Sequence, residues 1–359
     1  MSFRLLFSSS SATAMSTGIY TKHVVSFLFY QLVNGFRVDM PSNVEFICAL
    51  ILQFCSLAFT SGNSTAVSSS VPLQATTVVT TVRQVVGIIS IVVNTFMIFV
   101  LLARGKFSVE MANLTAFVIS SQLQAIGSMV SGIRFSNIRH RVYNPIVLAS
   151  DCLLTYSDIS LGHLNYLLRP LLFIHIGVMG VASAFTKPFH ERKLRRVNIA
   201  LLMAVFLICL LYVAAVWLEV FLVYHNWLVS QKCEYWTSIP VHHQQFQKCM
   251  YIFGVAFATI LLCSVLLVKR FGRKEMLNMA QVEVIKRLLP LPIIGLIFRA
   301  CPMVAGFLLA RTYTAYTVRM LLYLTDDFLV VCYCAAYCYF HPDVRDYIID
   351  LWSVVTDSF

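Results

Sequence analysis

Residues 197–224 read VNIALLMAVFLICLLYVAAVWLEVFLVY, with one charged side chain, Glu219, near the far end. A hydrocarbon core of about 30 Å needs roughly 20 apolar residues at helical rise, and backbone groups there must be satisfied within the segment. The stretch therefore reads as a membrane-crossing helix. Six others read the same way: Val78–Leu102, Met111–Gly132, Leu153–Phe185, Cys249–Val268, Leu288–Leu309 and Ala315–Phe340. None has the strict alternation of an outer-membrane strand. The expected fold is an all-α membrane protein, a seven-transmembrane helix bundle over 78–340.

Composition points to the same class. Hydrophobic residues make up 59% of the chain and charged ones 12%, with a mean hydropathy of +0.78, which excludes a soluble globule with a polar surface. The net charge of +11 sits in cations beside the spans rather than among exposed aromatics, so the partner it implies is a lipid bilayer and not nucleic acid.

Basic residues are retained on the cytoplasmic side, so alternate loops give an orientation. Arg104 and Lys106, then Lys187, Arg192, Lys193, Arg195 and Arg196, then Lys269, Arg270, Arg273, Lys274, Lys286 and Arg287 form the richer set. Arg134, Arg139 and Arg141, then Lys232 and Lys248, then Arg311 form the poorer one. Residues 1–77 are thus expected outside and 341–359 inside, in the plasma membrane. The sequon Asn63-Ser64-Thr65 agrees, because a glycosylated asparagine must face outward. Upstream, Val44–Thr60 ending in Ser61-Gly62 reads as a signal-like run, with an eighth span as the competing reading. After Pro342, Val344, Tyr347, Ile348, Leu351 and Trp352 share one helical face, which predicts a short amphipathic cytoplasmic helix.

Of the eleven cysteines, Cys209, Cys263, Cys301, Cys332, Cys334 and Cys338 lie in or at the ends of spans, where thiols pack as small apolar groups. Cys152, Cys233 and Cys249 fall at the oxidising face, and a Cys152–Cys233 bridge with one thiol left over is expected. Adjacent His242-His243 resembles half a metal site, but neighbouring helical positions diverge and the loop lacks clustered carboxylates, so no metal or cofactor is expected. Walker, HExxH, GxSxG and dinucleotide-binding patterns are absent, so the chain does not read as an enzyme. Pro170, Pro290, Pro292 and Pro302 interrupt spans as in transporters, yet the halves share no pattern; a transporter or channel is the alternative function.

Local stretches resemble the rhodopsin-like G-protein-coupled receptors. Gly87 and Asn94 before Phe99-Val100-Leu101-Leu102-Ala103-Arg104 are similar to the family's first helix, Ala182–Phe189 to the end of its third, Cys301-Pro302 to the kink of its sixth, and Tyr337 with Val344-Arg345 and Ile348 to its seventh and the helix beyond. The family's Asp-Arg-Tyr falls on Gly180-Val181-Ala182, its Asn-Pro on Tyr333-Cys334, its second-span aspartate in Ser121–Gln124, and Ala300 stands where a tryptophan would. Such departures resemble nematode serpentine chemoreceptors. The resemblance implies a small-molecule or peptide ligand and a heterotrimeric G protein, with Lys187, Arg192, Arg195, Arg273 and Lys286 as candidates facing it. By the same counting, His163 and Asp327 fall at positions that line the family's ligand pocket.

Charged groups at mid-bilayer cost about 2.5–3.5 kcal/mol on insertion scales, so they face the bundle interior and have partners. The ionisable residues in the spans are His163, Arg169, His175, Glu219, Arg299, Asp326 and Asp327. His163, Arg299, Asp326 and Asp327 are the ligand-binding candidates, and a structural network of Arg169, Arg299, Asp326 and Asp327 is the plainer reading. An Arg299–aspartate pair is expected in either case. Arg299→Leu should reduce folded protein at the cell surface, and adding Leu at the paired aspartate should recover much of it; strictly additive losses at both aspartates in a surface-expression double-mutant cycle would show that no such pair exists.

Overall fold

The computed structural model describes residues 73–103, 108–139, 146–186, 190–230, 233, 238–271, 278–304, 328–333, 335–337 and 339–357. Among them, α1 (Leu73–Ala103), α2 (Val109–Arg139), α4 (Ser157–Phe185), α5 (Glu191–Leu222) and α6 (Val241–Arg270) are five helices long and apolar enough to cross a membrane. The protein is a helical membrane protein. Its described strands are β1 (Ile146–Leu148) and β2 (Leu228–Ser230), paired antiparallel with Val147 opposite Val229.

Burial sorts the helices. On α5, Ile199, Leu201, Met203, Leu207, Ile208, Leu210, Leu211 and Leu218 are exposed, a surface that hydrocarbon and not water would solvate. α4 is the reverse, buried along most of its length, and α2, α5 and α6 pack around it while α1 packs on α2. Lipid tails are as apolar as leucine, so close contact and hydrogen bonds must hold such helices together. Both are present. Asn165 on α4 accepts from the Ser120 hydroxyl and donates to Gln124, each at 2.6 Å, and Gln122 donates to Thr95 on α1 at 3.2 Å. The polar stretch of α2 is therefore an inter-helix seam.

Pro170 lies in the middle of α4, and α6 reaches its backbone there because Gly254 has no side chain. A Cβ at Gly254 would stand 2.6 Å from the Pro170 carbonyl oxygen, inside van der Waals contact with backbone that cannot swing away.

Two spans differ from the sequence reading. The third starts at Ser157 and not at Leu153, since Tyr156 takes extended geometry (φ −118°, ψ 100°) after a separate turn, α3 (Ala149–Thr155). Leu153 instead joins a small apolar core with Cys152, Ile159, Val216, Val220, Val229, Cys233 and Ile239, which caps this end of the bundle beside the β-ribbon. The segment read as the sixth span is helical from Met279 rather than Leu288, as α7 (Met279–Leu288) and α8 (Pro290–Gly295), and passes through a π turn, Leu296–Ala300, closed by the Cys301 N–H on the Leu296 carbonyl. Pro302 offers no N–H to the carbonyl four residues back, and the wider turn relieves the ladder just before it. Residues 328–333, 335–337 and 339–340 of the seventh segment are helical. α9 (Pro342–Asp357) forms where the amphipathic tail was expected, with Val344 buried, and packs on α1. Asn63, the run 44–60, Lys187, Arg273, Asp326 and Asp327 lie outside the described residues.

Gly254→Ala should separate α4 from α6 and lower stability by roughly 1–3 kcal/mol, the usual cost of overpacking. Gly127→Ala, where an added Cβ would meet its nearest neighbour at 3.7 Å, should be near neutral. Thermal unfolding of detergent-solubilised protein compares the two.

Candidate functional site

The polar side chains of α4 step inward from the capped end. Between Asp158 and Arg169 they cover roughly 16 Å of helix axis. They meet α2 and α5 in turn, and further in the aromatic rings around Arg299.

At the capped end, Cys152 and Cys233 form a disulfide with Cα atoms 5.4 Å apart, closing a separation of 81 residues. Cys233 has a positive φ of 47°. Arg134 secures the same corner: its guanidinium lies 2.6 Å from an Asp158 carboxylate oxygen, donates to the Cys233 carbonyl at 2.8 Å and stacks over Tyr156 at 4.7 Å. The sequence reading counted Arg134 as a loop cation. It is buried because α2 runs on to Arg139 and carries it beneath the cap.

One turn further in, His163 is fully buried, with its ring edge-on to Tyr212 of α5 at 5.5 Å. Tyr166 and Arg169 follow on the next turn. The Arg299 guanidinium, carried by the π turn, lies 4.5 Å over Tyr166 and 4.3 Å over Tyr251, and Arg169 lies 5.5 Å from Tyr333 and 5.8 Å from Phe117. Phe117 touches Phe173 and Tyr333 at 5.1 and 4.8 Å, so two buried arginines share one aromatic cage. Gly295 makes the cage possible, because a Cβ there would stand 2.9 Å from the Tyr333 hydroxyl and 3.1 Å from that of Tyr251. Aromatic faces offset part of the cost of a desolvated guanidinium, worth about 2 kcal/mol or more each. Deeper still, His175 Nε2 lies 2.9 Å from Asn198 Oδ1 of α5 and is satisfied within the core.

Of the expected ligand-contact residues, His163 lies against Tyr212, and Arg299 lies over Tyr166, three residues further along α4. Asp326 and Asp327 cannot be placed against them, being outside the described residues.

A second cluster joins the capped ends of α5 and α6. Both histidines turn to Glu219, His242 Nε2 at 3.1 Å and His243 Nε2 at 2.7 Å, while His243 Nδ1 lies 2.9 Å from the Tyr212 hydroxyl. The expectation that adjacent histidines diverge fails here. They sit on the first turn of α6, their rings are 4.2 Å apart, and the carboxylate comes from another helix rather than from their own loop.

The opposite end is basic. Arg192 and Arg195 are exposed on the first turns of α5. Lys286 is not simply displayed: Glu283 accepts from it at 2.7 Å and lies 3.5 Å from Lys269 of α6. His341, just before α9, lies 3.0 Å from Glu110 at the start of α2, a buried contact between residues far apart in the chain that no motif announces.

Replacing Cys152 and Cys233 by alanine should destabilise by about 2–4 kcal/mol. Arg134→Gln should also destabilise, and the combined loss should fall short of the sum, because both act on the segment that Cys233 anchors. Unfolding midpoints that add within error would separate Arg134 from the cap. No protein-family model matches the chain and no curated protein matches it.

Proposed function

We propose that this chain is a seven-helix receptor, divergent but of the rhodopsin-like kind and nearest in character to nematode serpentine chemoreceptors, which couples a small-molecule or peptide ligand to a heterotrimeric G protein at the plasma membrane. The reading counts the run from Met279 and the segment ending at Phe340 as sixth and seventh spans, with the capped end outside and α9 inside. One observation carries it: a buried helix, α4, bears stepped polar contacts that link the capped end to the middle of the bundle. His163 and Arg299, with Asp326 and Asp327, supply ligand contacts in the outer half. The π turn that holds Arg299 is the adjustable element, since such turns often mark functional sites. A ligand preferring one packing a hundredfold shifts the equilibrium by about 2.7 kcal/mol, enough to change which state dominates. At the other end, Arg192, Arg195 and Lys286 offer charge to an acidic partner surface.

Cells expressing the full chain with a promiscuous G protein, challenged with a panel of volatile and soluble compounds, should give a calcium response to at least one. His163→Ala and Arg299→Lys should reduce its potency about tenfold or more at matched surface expression. A tag on the N-terminus should be accessible without permeabilisation. An internal N-terminus, or ligand-evoked currents or uptake without any G protein, would replace the receptor with a channel or transporter.

A further inference from the structure

We propose that Glu219, His242 and His243 form a binding site for a divalent transition ion of zinc's class, clamping the end of α5 to the start of α6. This inference stands apart from the receptor reading.

The donor set is the first argument. Two imidazoles and a carboxylate suit zinc and its neighbours, leave a coordination position open, and are too few and too nitrogen-rich for calcium or magnesium. Geometry is the second. The three ligand atoms lie within 4.8 Å of one another, and each imidazole Nε2 already faces its own carboxylate oxygen, at 3.1 and 2.7 Å. Tetrahedral bonds of about 2.0–2.1 Å place ligand atoms roughly 3.3–3.5 Å apart, so the two imidazole–carboxylate contacts open by under an ångström while the widest separation closes by at most roughly 1.5 Å.

Support from the surroundings is the third. A metal-binding imidazole usually fixes its second nitrogen with a hydrogen bond, and the Tyr212 hydroxyl occupies that position at His243 Nδ1, 2.9 Å away. The first turn of α6 is itself held, with the His243 N–H on the Pro240 carbonyl and the Gln244 side chain donating to the Ile239 carbonyl. Access is the fourth: the His242 side chain is 57% exposed, while that of His243 is 15% exposed, giving one ligand on the open side and one rooted in the bundle. Tyr212 also lies against buried His163, so the clamp adjoins the interior.

The test uses the full chain in lipid nanodiscs, freed of metal with chelator. Calorimetric titration with Zn2+ should show one saturable site per chain, and Co2+ should give a tetrahedral ligand-field band in the visible. Glu219→Gln and His242→Ala should each weaken Zn2+ at least tenfold and abolish the Co2+ band; His242→Ala changes the most exposed ligand, so its helicity and metal-free unfolding midpoint should match the parent. Tyr212→Phe should weaken Zn2+ about tenfold, as loss of an outer-shell partner does. Excess Mg2+ or Ca2+ should not compete. Absence of a one-to-one site, or Zn2+ binding unchanged in both Glu219→Gln and His242→Ala, would overturn the proposal and leave the cluster a hydrogen-bonded tie between two helices.

Discussion

The burial of α4 constrains everything else. A helix with lipid on one side can turn its polar groups elsewhere, but α4 is surrounded, and it carries Asp158, His163, Asn165, Arg169 and His175. In a medium without water each must be met by a neighbour. Asp158 is met by Arg134, Asn165 by Ser120 and Gln124, His175 by Asn198, and Arg169 by the rings of Phe117 and Tyr333. These pairings fix which helix lies beside α4 at each depth, and with it the register of the bundle. Apolar packing alone would not, because one leucine-rich surface fits another in many registers.

The membrane helices were legible because length and hydropathy are properties of a single segment. Residues 197–224 announce a span wherever the other helices lie. The pairing of Cys152 with Cys233 was legible for a related reason, as topology alone placed few thiols on one face. Other features depend on two segments meeting. The polar nature of Glu219 and the adjacent His242-His243 were both visible, and so was their place at the same end of the bundle; what was not visible was the rotation of α5 that turns Glu219 toward α6. The buried Arg134 was masked by its position near the end of a span, where a cation ordinarily serves orientation. Leu153 was misplaced because an apolar residue in a cap core and one in a span look alike in sequence, and the extended Tyr156 that divides them carries no Gly or Pro to mark the break.

The region around Arg299 was legible in part. Cys301-Pro302 pointed to an irregular helix, and the irregularity lies one turn earlier as a π turn that carries the arginine inward. The sequence placed a charge at mid-depth and required partners for it; the aromatic pair of Tyr166 and Tyr251 belongs to two other helices and could be known only from their packing.

The contact of Gly254 with Pro170 is one of two rivets between α4 and α6. Backbone meets backbone there, and roughly 10 Å along α4 Gly177 admits the Ala258 backbone as closely, since an added Cβ would stand 2.9 Å from its Cα. Two fixed points hold a line rather than a pivot, so α4 and α6 are joined as one rod, and a push at either end of α6 is handed on to the buried helix whole.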